Sequence, residues 1–206
     1  EIKKALALIL ATSIGPDGGI NPSKDIEQSD VCINGMFLNY GCYFGTDEEK
    51  LRSVVDFIIS QQLADGGFNC RLNRSGARHS SMHSTISVLE GIREYIVAGY
   101  AFRAEELNRI EGEAQEFLLR HRLFKSDHTG AVIHPIFLKL VYPPRWRYDI
   151  LRALDYFQSV GYPYDERLQD ALDILKEKRL SDGRWKTQAH HPGGVHFQME
   201  QAGKPS

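Results

Sequence analysis

The sequence predicts an all-α protein built from repeated helical hairpins, and three observations carry that prediction. Apolar residues recur at helical spacing along most of the 206 residues, with no convincing run of strand-like alternation. Three Asp-Gly turns, GPDGGI at 15–20, QQLADGGF at 61–68 and LSDGRW at 180–185, align at Asp17, Asp65 and Asp182. Two kinds of helix flank such turns: an amphipathic kind that runs into them and a kind richer in small and apolar residues that comes after them.

In chain order, IKKALALILATS at the N-terminus reads as the tail of a helix of the first kind. DVCINGMFLNYGCYFG (30–45) is the first helix of the second kind. Residues 47–63 begin acidic after a candidate Thr46 cap and place Leu51, Val54, Val55, Ile58 and Ile59 on one face. HSTISVLEGIREYIVAG (83–99) is again the second kind. Residues 104–123 return to the first, with Leu107, Ile110, Ala114, Phe117, Leu118 and Leu119, and run into a degenerate turn, RLFKSDHTG at 122–130. RWRYDILRALDYFQSVG (145–161) is the third helix of the second kind. All three such helices end in Gly, the residue suited to a left-handed helix C-terminus. Residues 164–180, with Asp165 as a candidate cap, complete the set. The repeat is therefore roughly 50–60 residues with one hairpin per unit, and hairpins of this sort bury their faces by stacking on neighbours. The tail from 186 to 206 has three glycines, two prolines and no clean period.

Composition narrows the function classes. A chain that is 42% hydrophobic and 25% charged is ordinary for a globular protein. A net charge of −2 gives no electrostatic reason to expect nucleic acid. Cys32, Cys42 and Cys70 show no C-x-x-C spacing and leave one cysteine over, which fits a reducing compartment better than a disulfide framework. The longest apolar run, ALALILA at 5–11, is too short to span a bilayer, and no leader pattern precedes it. The expectation is a cytoplasmic protein with no transmembrane segment. Its first residue is Glu rather than Met, so further residues are expected to precede it.

The repeated turn resembles that of the terpenoid cyclase and protein prenyltransferase superfamily, whose motif is an apolar helix, a Gln, Asp-Gly-Gly and an aromatic. FIISQQLADGGF at 57–68 matches closely, and ILKEKRLSDGRW at 174–185 matches except for a charged residue at the Gln position. The resemblance implies an α/α toroid of stacked helical hairpins, with the helix before each turn on an outer ring and the helix after it on an inner ring around a cavity. By the repeat logic an inner helix should follow residue 206, so an incomplete ring is expected. The resemblance also implies an apolar prenyl or terpenoid-like substrate, bound or transformed. Two departures bear on chemistry: neither D-x-D-D nor D-D-x-x-D occurs. A ligand-binding or protein-binding scaffold without catalysis, and a carbohydrate-active enzyme on the same ring, are the alternative readings.

Candidate site residues follow from the inner-helix starts. Protein prenyltransferases hold zinc with an Asp-x-Cys at the start of one inner helix and a His on the next, so the resemblance implies a zinc set of Asp30, Cys32 and His83; thiolate, carboxylate and imidazole suit that metal. The plain alternative makes Asp30 a helix cap and Cys32 a small core residue. Arg71, Arg74, Arg78 and His79 lie between a turn and an inner helix and suit a diphosphate or other anionic small molecule. Tyr148 and Asp149 sit in YPPRWRYD (142–149), where a desolvated Asp acts as a general acid or base, and an ion pair of Asp149 with Arg145 or Arg152 is the structural alternative. His190, His191 and His196 lack a fixed helical spacing, and His128 and His134 read as loop residues. No P-loop, dinucleotide fingerprint, G-x-S-x-G or H-E-x-x-H occurs. The Asp-Gly turns themselves read as punctuation, with Gln62 and Phe68 pinning the turn to a neighbouring hairpin.

Overall fold

The computed structural model describes residues 1–23, 26–70, 76–189, 191–194, 197, 199 and 201–205. Among them are seven α-helices: α1 (Ile2–Thr12), α2 (Val31–Tyr43), α3 (Glu48–Ser60), α4 (Met82–Val97), α5 (Ala104–Arg120), α6 (Ile150–Ser159) and α7 (Gln169–Glu177). Two 3-10 segments, Pro135–Leu138 and Glu166–Leu168, complete the regular structure among the described residues. Strand-like pairing among the described residues is confined to isolated bridges. The all-α prediction therefore holds. The chain divides into two compact units, Glu1–Phe117 and Leu118–Ser206.

Local chemistry accounts for the helix ends. Gly45, Gly99 and Gly161 take φ of +69°, +77° and +64°, as predicted for residues that close the small-residue helices. Helix α3 starts behind Asp47 rather than a Thr46 cap. Helix α6 begins five residues later than the periodicity suggests, because Arg145 adopts φ +57° and Asp149 is extended at the N-cap. Asp165 does cap, but the turn it opens is the 3-10 segment ahead of α7, where its carboxylate accepts from the Arg167 amide.

The first unit is organised by a turn that occurs twice with the same bonding. In one copy the amide of Leu63 donates to Gly67 O and that of Gly66 to Leu63 O; in the other Gly15 donates to Gly19 O and Gly18 to Gly15 O. Gly66 and Gly18 sit at φ +94° and +83°, which an L side chain rarely adopts. The Asp then reaches forward to the serine before the next helix. Asp65 accepts from the Ser80 amide at 2.8 Å and its hydroxyl at 2.5 Å, while Asp17 accepts from the Ser29 amide and hydroxyl at 2.7 Å each. Five residues beyond each serine, a polar side chain holds the residue that ends the turn. Thr85 Oγ1 accepts from the Phe68 amide at 3.0 Å, and Asn34 Oδ1 accepts from the Ile20 amide at 2.6 Å. Ile20 thus occupies the place of the aromatic, and both it and Phe68 are buried. Gln62 pins the turn as predicted, donating to Gly66 O and to Glu113 on α5.

The two helices behind these locks meet backbone to backbone. A Cβ on Gly91 would lie 2.4 Å from Gly35 O, and one on Gly35 would lie 2.4 Å from Ser87 O. Only glycine permits that separation. Around the crossing, Phe37 and Leu38 of α2, Ile86, Val88, Leu89 and Ile92 of α4, and Leu51, Val54, Val55 and Ile58 of α3 form the core.

In the second unit the turn recurs at Asp182: Leu180 donates to Arg184 O, Gly183 donates to Leu180 O, and Gly183 has φ +87°. Its carboxylate is taken by the adjacent Arg184 instead of a distant serine. The degenerate copy is a wider hairpin, with Ile133 donating to Phe124 O and Ser126 to Ala131 O. Lys125 ties it to Asp170 on α7 at 2.7 Å. The described part of the tail folds back irregularly: Thr187 donates to Lys204 O, and Gly203 to Thr187 O.

Two predictions follow from the locks and the crossing. Asp65→Ala leaves two Ser80 donors without a carboxylate and is expected to cost about 1.5–3 kcal/mol in urea unfolding, whereas Asp182→Ala leaves the unfolding midpoint unchanged. Gly91→Ala is expected to destabilise by about 3 kcal/mol through overpacking. Gly112→Ala, on an exposed stretch of α5 with open space around it, is expected to stabilise by about 0.5–1 kcal/mol through helix propensity. Equal effects at the two glycines would contradict the close crossing.

Candidate functional site

The Asp-Ser locks set where α2 and α4 begin, and the candidate ligands of the first unit lie at those two starts. Asp30 occupies the N-cap of α2, and its backbone oxygen accepts from the Asn34 amide and side chain. Cys32 is half-buried in the first turn. Its amide donates to the sulfur of Cys70 at 3.3 Å. Ser84, in the first turn of α4, donates from its hydroxyl to the same sulfur at 3.3 Å and accepts from the Cys70 amide at 3.1 Å. His83 is half-buried one residue earlier, its carbonyl accepting from the Ser87 hydroxyl. Among the described residues no three or more His, Cys, Asp and Glu side chains form a group suited to a metal ion. Among the described residues, Cys32 is paired with a second thiol, that of Cys70.

The two thiols influence each other in opposite directions. Hydrogen bonding with Cys70, followed by burial, holds the Cys32 thiol far above its ordinary range. Cys70 is lowered, first by its bond with Cys32 and then by Ser84, against burial. Cys42 lies apart in the core, pushed up to about 12 by burial and secondarily by Glu94.

Of the basic cluster, Arg71 and Arg74 lie outside the described residues. Arg78 and His79 are exposed, and the His79 carbonyl accepts from Asn69. His190 and His196 also lie outside the described residues.

Tyr148 and Asp149 are both engaged by the fold of the second unit. Tyr148 is enclosed, its hydroxyl donating to Leu123 O at 2.6 Å and its ring meeting Phe137 edge-on. Asp149 caps α6, accepting from the Arg152 amide at 2.9 Å and, less closely, from the Val141 amide at 3.4 Å. Burial raises its pKa from 3.8 to about 6, outweighing the amides and the Arg152 charge that favour the ionised form. The Arg152 guanidinium donates to Arg147 O, and Arg145 donates to Pro192 O and Gly193 O, so both arginines brace backbone. Trp146 is exposed, with the Arg147 guanidinium 4.6 Å from its ring centre.

The second unit also holds a cleft of about 180 Å³ lined by Leu140, Tyr142, Leu151, Leu175, Trp185 and Lys186, with Thr187. The Trp185 indole donates to Leu175 O, which fixes the ring in the wall. Thr187 is buried, and among the described residues its hydroxyl has no hydrogen-bond partner. Such an orphan inside an apolar wall is uncommon and suits a ligand bearing one polar group.

Sequence reasoning missed two of these features. Cys70 entered only as one of three cysteines without C-x-x-C spacing, although it lies two residues beyond Phe68, which ends the Asp65 turn. The cleft rests on Trp185, noted only as the aromatic of the third turn.

The buried carboxylate of Asp149 has a pH signature. Its folded pKa lies above its unfolded value, so the native state binds the proton more tightly and loses stability as pH rises from about 4 to about 6. Asp149→Asn retains a capping side chain but cannot ionise. Thermal melts across that range are expected to shift in favour of the Asn variant with rising pH, by up to about 3 kcal/mol; parallel curves would refute the burial argument.

No model of a known protein family matches the chain, and no curated protein shows significant similarity to it.

Proposed function

We propose that this protein is a helical-hairpin repeat scaffold of the terpenoid-cyclase and prenyltransferase kind that binds an apolar small molecule carrying a polar or anionic head. The observation that carries the reading is the duplicated lock: the same turn bonds, the same Asp-to-Ser clasp and the same polar hold five residues later, in two successive hairpins. A repeat with that bonding supports stacking of hairpins into an α/α toroid, with α2 and α4 as inner helices.

The apolar ligand is supported by surfaces in each unit. On α2, Ile33, Met36, Tyr40 and Tyr43 share one face and remain half-buried or exposed, although the opposite face is packed. In the second unit the cleft offers aliphatic and aromatic walls, a hydroxyl at Thr187 that has no partner among the described residues, and a cation at Lys186. Binding rather than catalysis is favoured because Tyr148 and Asp149, the acid-base candidates, are occupied by core and capping bonds.

Trp185 supplies the readout. In a Trp146→Phe background the remaining indole lies in the cleft wall, and titration with farnesyl diphosphate or farnesol is expected to give a saturable fluorescence change. Lys186→Ala is expected to weaken the diphosphate several-fold and leave farnesol unaffected, and Thr187→Val to weaken both. A flat response to both probes would sink the proposal.

A further inference from the structure

We propose that Cys32 and Cys70 form a redox-active dithiol, a modification site that closes to an intramolecular disulfide when it meets a low-molecular-weight disulfide. The sulfur of Cys70 lies 3.3 Å from the amide nitrogen of Cys32. A cysteine sulfur is only three bonds from its own amide nitrogen, and the two thiols already bond to each other, so the sulfurs stand within reach of a disulfide. Both residues are half-buried, open enough for a small oxidant, whereas Cys42 is enclosed in the core.

The surroundings hold the pair in place. Cys32 sits in the first turn of α2, fixed by the Asp17–Ser29 clasp. Cys70 follows Phe68, whose amide is held by Thr85, and its own amide donates to Ser84. The Ser84 hydroxyl donates to the Cys70 sulfur, a contact that favours the nucleophilic thiolate. The two cysteines stand 38 positions apart in sequence, so the bond would tie the start of α2 to the segment leaving the second turn.

The exchange balances with oxidised glutathione as the oxidant. The Cys70 thiolate attacks one glutathione sulfur, the glutathione S–S bond breaks, and one glutathione thiolate leaves. The Cys32 thiolate then attacks the Cys70 sulfur of the mixed disulfide and displaces the second glutathione. One protein S–S bond forms, one glutathione disulfide is reduced to two thiols, and the two cysteine protons end on them. The site is independent of the ligand proposed above.

The test is peptide mapping of the folded full chain after incubation with oxidised glutathione and blocking of free thiols. The expected product is a Cys32–Cys70 linked peptide, two hydrogens lighter than its parts, that reverts with dithiothreitol, while Cys42 is blocked only after denaturation. Cys32→Ser is expected to trap Cys70 as its glutathione mixed disulfide. The proposal is overturned if wild-type protein yields no linked peptide while a small dithiol in the same tube is fully oxidised, or if the link involves Cys42.

Discussion

A carboxylate closing on the amide and hydroxyl of one serine is the contact on which the first unit depends. Asp65 does this to Ser80, and Asp17 to Ser29. A turn alone reverses the chain but leaves the direction of the next segment open. The clasp removes that freedom by joining the turn to the residue just before the next helix's N-cap, so the helix start is tied to the hairpin end. The charge-assisted bonds are among the stronger ones available to a protein. A second bond, from Thr85 or Asn34 to the backbone ending the turn, adds the orientation that one clasp could not supply.

The glycine pattern follows from the clasp. A Cβ on Gly67 would fall 2.7 Å from Ser80 Cβ, and one on Gly19 would fall 2.7 Å from Ser29 Cβ, so the second glycine exists to admit the serine. At Asp182 that position is Arg184, whose side chain takes the carboxylate itself. The motif therefore has two forms, one that grips a following helix and one that satisfies itself. Once the helices are placed, Gly35 and Gly91 let α2 and α4 approach to backbone contact, and the starts of both helices become neighbours through Cys32, Cys70 and Ser84.

Much of the fold was legible beforehand because its signals are local. Helical spacing along α3 and α5, the closing glycines and the three Asp-Gly turns each depend on residues within a few positions of one another. Helix α6 was misjudged at its start because a left-handed Arg145 and an extended Asp149 interrupt a periodicity that reads as continuous. The site was far less legible. Asp30 and Cys32 were readable as the start of a helix, but Cys70 approaches from a segment whose placement depends on Thr85 and Ser84 of another helix. Thr187 has no local mark at all; its significance lies in what surrounds its hydroxyl.

By itself the sequence determined an all-helical chain, its hairpin period and the turns that divide it, since backbone preference and side-chain spacing act at short range. Tertiary structure decided the rest: that Asp65 and Asp17 clasp serines far along the chain, that Tyr148 and Asp149 serve the core and a helix cap, and that two cysteines of unrelated spacing face each other. Such partnerships are set by how helices pack, and no residue carries within its own neighbourhood the identity of the side chain that packing will bring to it.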